Sequence, residues 1–166
     1  MPVYALAIDG AELQQFVPDL LEGRYPGRSR EVEPTTGPGH FGWILELDDC
    51  VVLVRASQVS NPFIWIRGGI AHAIPRSEAL ATHVAAANKD LMVGRAYMAC
   101  GDEMAMVVFD EAIVGAYLSL QHEPSIRDVV NRFETSLQYT SEWARTIREK
   151  FGGQAFTADD WHLMSF

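Results

Sequence analysis

Residues 41–71 constrain this chain more than any other stretch. They read FGWILELDDCVVLVRASQVSNPFIWIRGGIA, three short apolar runs closed by turn residues. Phe41, Trp43, Leu45 and Leu47 alternate with Gly42, Ile44 and Glu46, the period of two that marks a strand. Asp48-Asp49 punctuate the chain, and Cys50–Val54 follow as an unbroken apolar run. Such a run, rich in β-branched residues, suits a strand buried on both faces. Ser60, Asn61 and Pro62 form the next turn. Phe63–Ile66 make a third strand, loosened at its end by Gly68-Gly69. The pattern predicts an antiparallel meander with Cys50–Val54 central.

Around this meander the chain divides into a single domain, 1–166. Leu13, Phe16, Val17, Leu20 and Leu21 follow a helical stripe over 9–22, with Asp9 as a cap and Pro18 as an interruption. Residues 23–40 carry four Gly and three Pro and read as a long loop holding Arg24, Arg28 and Arg30. The loop spells G-x-G-x-x-G at Gly37, Gly39 and Gly42. No helix opens behind these glycines, so the phosphate-cradle reading fails. The sheet with an inserted helix occupies 41–120. Pro75 and Ser77 open that helix, which runs to Asn88 with Leu80, Val84, Ala87 and Leu91 on one stripe. Met92–Cys100 and Glu103–Phe109 form a hairpin about Gly101-Asp102, and Ile113–Leu120 reads as a further strand or an extended connection.

A long helix spans 125–151, with Ser125 and Asp128 resembling a capping box. At about 1.5 Å per residue it reaches about 40 Å, whereas strands of five to eight residues reach only about 17–27 Å. The helix is therefore expected to overhang the sheet or to meet a second subunit, with Trp143 off its main stripe. Gly152-Gly153 end the helix. The tail, 154–166, carries Phe156, Trp161, Leu163, Met164 and Phe166, too apolar for a solvated terminus. It is expected to dock, either as a displaceable plug over a binding face or as a permanent piece of core.

The net charge of -9 argues against nucleic-acid and anionic-membrane partners. No apolar stretch reaches the roughly 18 residues of a membrane span, and the first residues lack a basic signal-peptide region. Cys50 and Cys100 read as buried free thiols in a reducing cytoplasm. The histidines His40, His72, His83, His122 and His162 show no metal-ligand spacing, and no cofactor motif is present. No nucleophile elbow occurs. The pairs Asp48-Asp49, Asp102-Glu103, Asp110-Glu111 and Asp159-Asp160 read as turn residues unless the fold brings them together in a cleft.

The order α-β-β-β-α-β-β-α, an α+β fold with about five antiparallel strands, resembles the type III secretion chaperone-like fold. With the meander WILELDDCVVLVRA, the helix SEALATHVAAANKD, a hairpin and a long final helix, it looks like the YbjN-type family, proposed bacterial sensory-transduction regulators. The resemblance implies a cytosolic, non-enzymatic homodimer that binds a polypeptide partner. It supplies no site residue. The residues themselves nominate Trp43 and Trp65, read as flanking the central strand on one face, and Met98, Met104 and Met106, grouped with Met92 on the hairpin. Trp143 and Trp161 complete the partner-binding candidates. The alternative is a small enzyme or metabolite-binding domain with a pocket between the sheet and the 23–40 loop.

Overall fold

The computed structural model describes residues 10–33, 39–57, 63–114 and 123–164. Asp9, the turn at 60–62, residues 34–38 and 115–120, His122 and Phe166 lie outside the described residues. The elements run α1 (Gly10–Arg24), β1 (Ser29–Val32), β2 (His40–Glu46), β3 (Val51–Ser57), β4 (Phe63–Pro75), α2 (Glu78–Ala87), β5 (Arg95–Cys100), β6 (Met104–Val114) and α3 (Glu123–Phe151). A 3₁₀ turn, Ala158–Met164, follows in the tail. The strands form one six-stranded antiparallel sheet in the order β1-β2-β3-β4-β6-β5.

The meander appears as expected, with β3 buried along nearly its whole length. The strand count differs. Four residues of the expected loop, Ser29–Val32, pair with Gly42–Leu45 as an extra edge strand. The third strand also continues past Gly68-Gly69 to Pro75. Its register against β6 shifts between Gly69 and Ala71 and again before Ile74, the signature of bulges, and Ala73 takes a left-handed φ of 50°. The hairpin strands start later than expected, at Arg95 and Met104, and β6 extends through Val114.

All three helices pack on one face. Leu13, Val17 and Leu21 of α1 and Val129, Phe133, Leu137 and Ala144 of α3 close over Trp43, Leu45, Val52, Val54 and Ile66. Leu80 and Val84 of α2 join Ile147, Ala96 and Phe109 at the other end. Ser77 caps α2, its hydroxyl accepting from Leu80 N at 3.1 Å. Just past α2, Asn88 grips the free edge of β5. Its side-chain oxygen accepts from Ala96 N and its amide donates to Ala96 O, both at 2.7 Å. One side chain thus stands in for a missing strand. The last helix opens at Glu123, so Ser125 falls inside it rather than at a cap.

On length alone, α3 need not overhang the sheet. A helix of 29 residues and a strand of 13 residues both span about 43 Å. Two polar residues complete the buried stripe of α3. The hydroxyls of Ser136 and Thr140 donate to the carbonyls of Arg132 and Ser136 at 2.7 and 2.8 Å, which satisfies them within the helix. Thr140 rests directly on Gly68. A Cβ at Gly68 would overlap both branches of the Thr140 side chain and come within 2.7 Å of its Cβ, which no χ1 rotation moves. Gly68→Ala is therefore expected to lower stability by about 1–3 kcal/mol. Adding Thr140→Ala should recover part of that loss. Urea unfolding of the two single variants and the double variant checks this, and strict additivity would refute the contact.

Candidate functional site

The side chains that alternate away from the helices make a second face. It carries Ile44, Val51, Leu53 and Val108, and it is covered by the tail rather than by a helix. Gly152 and Gly153, with φ of 77° and 94°, reverse the chain after α3. Gln154 then pairs with His72 of β4, His72 N donating to Gln154 O at 3.0 Å and Gln154 N to His72 O at 2.8 Å. Phe156 and Met164 are buried in the sheet face. Both sit against Gly69, where a Cβ would come within 2.7 Å of the Phe156 ring and 2.9 Å of the Met164 sulfur. The tail docks, as its composition predicts. Gly68 and Gly69, adjacent on one strand, admit the helix on one side and the tail on the other.

The charged centre of this face is Arg67, only 5% exposed. Its Nε and Nη2 donate to the two carboxylate oxygens of Asp110 at 2.6 and 2.8 Å, a bidentate pair. Its Nη1 donates to the Met164 carbonyl at 2.9 Å. The guanidinium lies 4.1 Å from the Trp65 ring centre and 5.4 Å from that of Tyr97. Arg55 also approaches Trp65, at 5.3 Å. Burial and the neighbouring Arg67 charge pull its pKa down. His40, Arg55, Phe63 and Trp65 line a cleft of about 310 Å³ beside the tail. At the far border Arg30 donates to the Ala158 carbonyl at 2.9 Å and to the Asp159 carboxylate at 3.4 Å. The His72 ring meets that of Phe156 at a tilt of 51° with centres 4.8 Å apart, and its Nε2 is 3.2 Å from the Ala155 carbonyl.

The nominated residues separate across the sheet. Trp43 pairs with Val54 and faces α1 and α3, almost fully buried. Trp65 pairs with Arg55 on the tail-covered side. The two tryptophans therefore do not share a face, because one register step inverts a side chain. The methionines also divide. Met98 packs on the helix side and Met106 on the tail side. Met104 is half exposed at the end of β6, and Met92 is exposed before β5. Trp143 lines a groove of about 290 Å³ between α2 and α3, with His83 and Ile147. Burial and Lys150 lower the His83 pKa. Trp65, Met106 and Trp161 thus border one apolar surface, joined by Val32, Tyr97 and Leu163.

The acidic pairs do not converge. Asp110 points to the tail side and Glu111 to the helix side, where Arg132 meets it. Asp48 pairs with Arg28 at 2.8 Å, and Asp49 receives Arg148. Asp159 faces Arg30, and Asp160 accepts from Thr157 N and Oγ1. Near the expected loop pocket lie two open depressions of about 350 and 460 Å³, both lined by Arg28 and Asp48. Cys50 is buried, and burial pushes its thiol up to about 11, away from nucleophile chemistry. Cys100 is exposed, against expectation, because it ends an edge strand at the hairpin turn. Among the described residues no cluster of His, Cys, Asp and Glu could hold a metal ion, and no helix is long and apolar enough to cross a membrane.

Arg67, Asp110, Tyr97, Arg55 and His72 were not nominated by the sequence. The one local signal was an arginine in an otherwise apolar strand, FIWIRGGIA.

Burial, with the Asp110 charge next, pushes Tyr97 up to about 12 from 10.0. The folded protein holds that proton where the unfolded chain has released it. Its contribution to stability is full below pH 10 and is lost as pH rises through about 12. Tyr97→Phe should flatten this alkaline loss in denaturant titrations between those limits. An unchanged profile would show that Tyr97 does not carry it.

No protein-family model matches the chain, and no curated protein matches it. Its fold has solved counterparts. One is the crystal structure of YbjN, "a putative transcription regulator from E. coli". That structure matches 87% of this chain and 96% of its own at a TM-score of 0.52 and 16% sequence identity. The chain therefore has a YbjN-like α+β fold, as its element order suggested.

Proposed function

We propose that this chain is a non-enzymatic polypeptide-binding protein, chaperone-like or regulatory, that docks its partner on the sheet face its own tail covers. One observation carries the reading: residues 154–164 are already a polypeptide seated there. They are held through main-chain bonds to His72 and Arg67 as well as through buried side chains. A surface that receives backbone and buried side chains in this way suits a second segment of similar chemistry. The tail is then a displaceable plug, pivoting on Gly152-Gly153. The regulatory form of the reading draws on the role ascribed to YbjN. A cytoplasmic location and a homodimer belong to the same proposal. With no overhang of α3 required by its length, the homodimer draws on the outer edge of β1, which pairs on one side only among the described residues.

Native-state hydrogen exchange tests the plug. The amides of Gln154 and Asp160 should exchange through an opening less costly than global unfolding, while β3 amides exchange only with the whole fold. If the tail amides share the protection of β3, the tail is permanent core and the plug reading falls. Light scattering at micromolar concentration tests the homodimer. A mass of 18.5 kDa, one chain, would remove it from the proposal.

A further inference from the structure

We infer that the partner's docking segment carries the same signature as the tail: an aromatic residue, a carboxylate three residues later and an unbranched apolar residue eight residues later. The inference rests on the reading just given and names the partner's chemistry. The tail works as a ligand held in cis, so its contacts state what the face selects. The Phe156 ring fills the space over Gly69 and reaches His72 at the same time, its centre 4.8 Å from that of the imidazole. Asp159, three residues on, meets Arg30, which also holds the Ala158 carbonyl. Asp160 serves the segment itself. It accepts from Thr157 N at 2.8 Å and Thr157 Oγ1 at 2.7 Å, which folds the 3₁₀ turn. That turn brings Met164 back onto Gly69 and its carbonyl onto Arg67. The spacing is therefore set by the turn and by the distance from Gly69 to Arg30.

Charge complementarity points the same way. Arg30 and Arg55 border or contact the covered strip in a chain of net charge -9. Arg67 is already neutralised by Asp110, so it recognises a carbonyl, while Arg30 recognises the carboxylate. An acidic–aromatic segment fits this strip. A basic one would place its charge on Arg30.

The test uses the full chain with Phe156→Ala and Met164→Ala, which loosens the tail and leaves every receiving residue intact. A fluorescein-labelled peptide of residues 154–164 is titrated by anisotropy against this variant and the unaltered chain. The variant should bind at least about tenfold tighter, because the cis tail no longer competes. Asp159→Lys in the peptide should weaken binding by about two- to fivefold, the measure of an exposed ion pair, and Arg30→Ala in the protein should remove that difference. Should a scrambled peptide bind as well as the ordered one, the signature is overturned while the polypeptide-binding reading stands. If no peptide binds either protein although hydrogen exchange shows the tail opening, both are overturned. Should the double variant fail to fold, a protease site inserted between Gly152 and Gly153, with both glycines kept, allows the tail to be cut after folding. Excess ordered peptide should then displace the cut tail, as read by mass spectrometry, and scrambled peptide should not. Equal displacement by both overturns the signature.

Discussion

The arrangement of this protein depends on a buried ion pair, Arg67 with Asp110, set on the sheet face that has no helix. Removing two charges from water is costly, and the Coulomb attraction offsets that cost only when the remaining donors find partners. Here the fork of Arg67 takes both Asp110 oxygens, and Nη1 donates to the Met164 carbonyl. Trp65 and Tyr97 supply the flanking ring faces. The tail therefore completes the pair as well as covering it. When the tail leaves, water can take its place at Arg67, and the desolvation cost is recovered. An apolar plug over an apolar face has no such compensation. The ion pair thus lowers the cost of uncovering this face, which the helix-covered face, with Val54, Ile66 and Phe133, does not share.

The two faces are coupled through β4. Gly68 and Gly69 are neighbours with opposite orientations, one against Thr140 and the other against Phe156 and Met164. Between them the strand is thin enough for a helix and a tail to approach within van der Waals distance on both sides. The bulges that follow, up to Ala73, re-aim the strand so that His72 can offer its main chain to Gln154. The same glycines explain what sequence reading missed. Gly-Gly after an apolar run reads as the end of a strand, yet here it marks close approach from both faces.

Other elements were legible to different degrees for identifiable reasons. The meander, α2 and α3 follow from periodicity because each buries a regular stripe. The strand Ser29–Val32 carries Arg30 and Glu31 outward and lies between Gly- and Pro-rich stretches, so nothing local distinguishes it from loop. Ser136 and Thr140 left a gap in the α3 stripe that intrahelical hydrogen bonds fill. The placement of Trp43 and Trp65 on opposite faces depends on the register of two hairpins, and one residue of error reverses it. The apolar composition of the tail announced docking, but its target face is set by Gly69 and Arg67, more than eighty residues away. Arg67 and Asp110 are separated by 43 positions, and no spacing rule joins them.

An acidic protein that presents arginines on one face raises the question of which charge a partner feels. At physiological ionic strength exposed charges are screened beyond about 8 Å. The net charge of the whole chain then has little reach into a strip where Arg30 stands within 3.4 Å of the tail's Asp159 carboxylate and Arg55 lies 5.3 Å from the Trp65 ring centre. Approach of an acidic segment is slowed at distance and favoured at contact. The tail avoids the first of these terms because it is tethered through Gly152-Gly153, which holds it at high effective concentration. A partner has to overcome both the tether and the long-range repulsion. On the proposed function, such a surface would exchange its cover only for segments that match it closely, and selectivity would come from the short-range contacts of Gly69, His72, Arg30 and Arg67 rather than from charge at large.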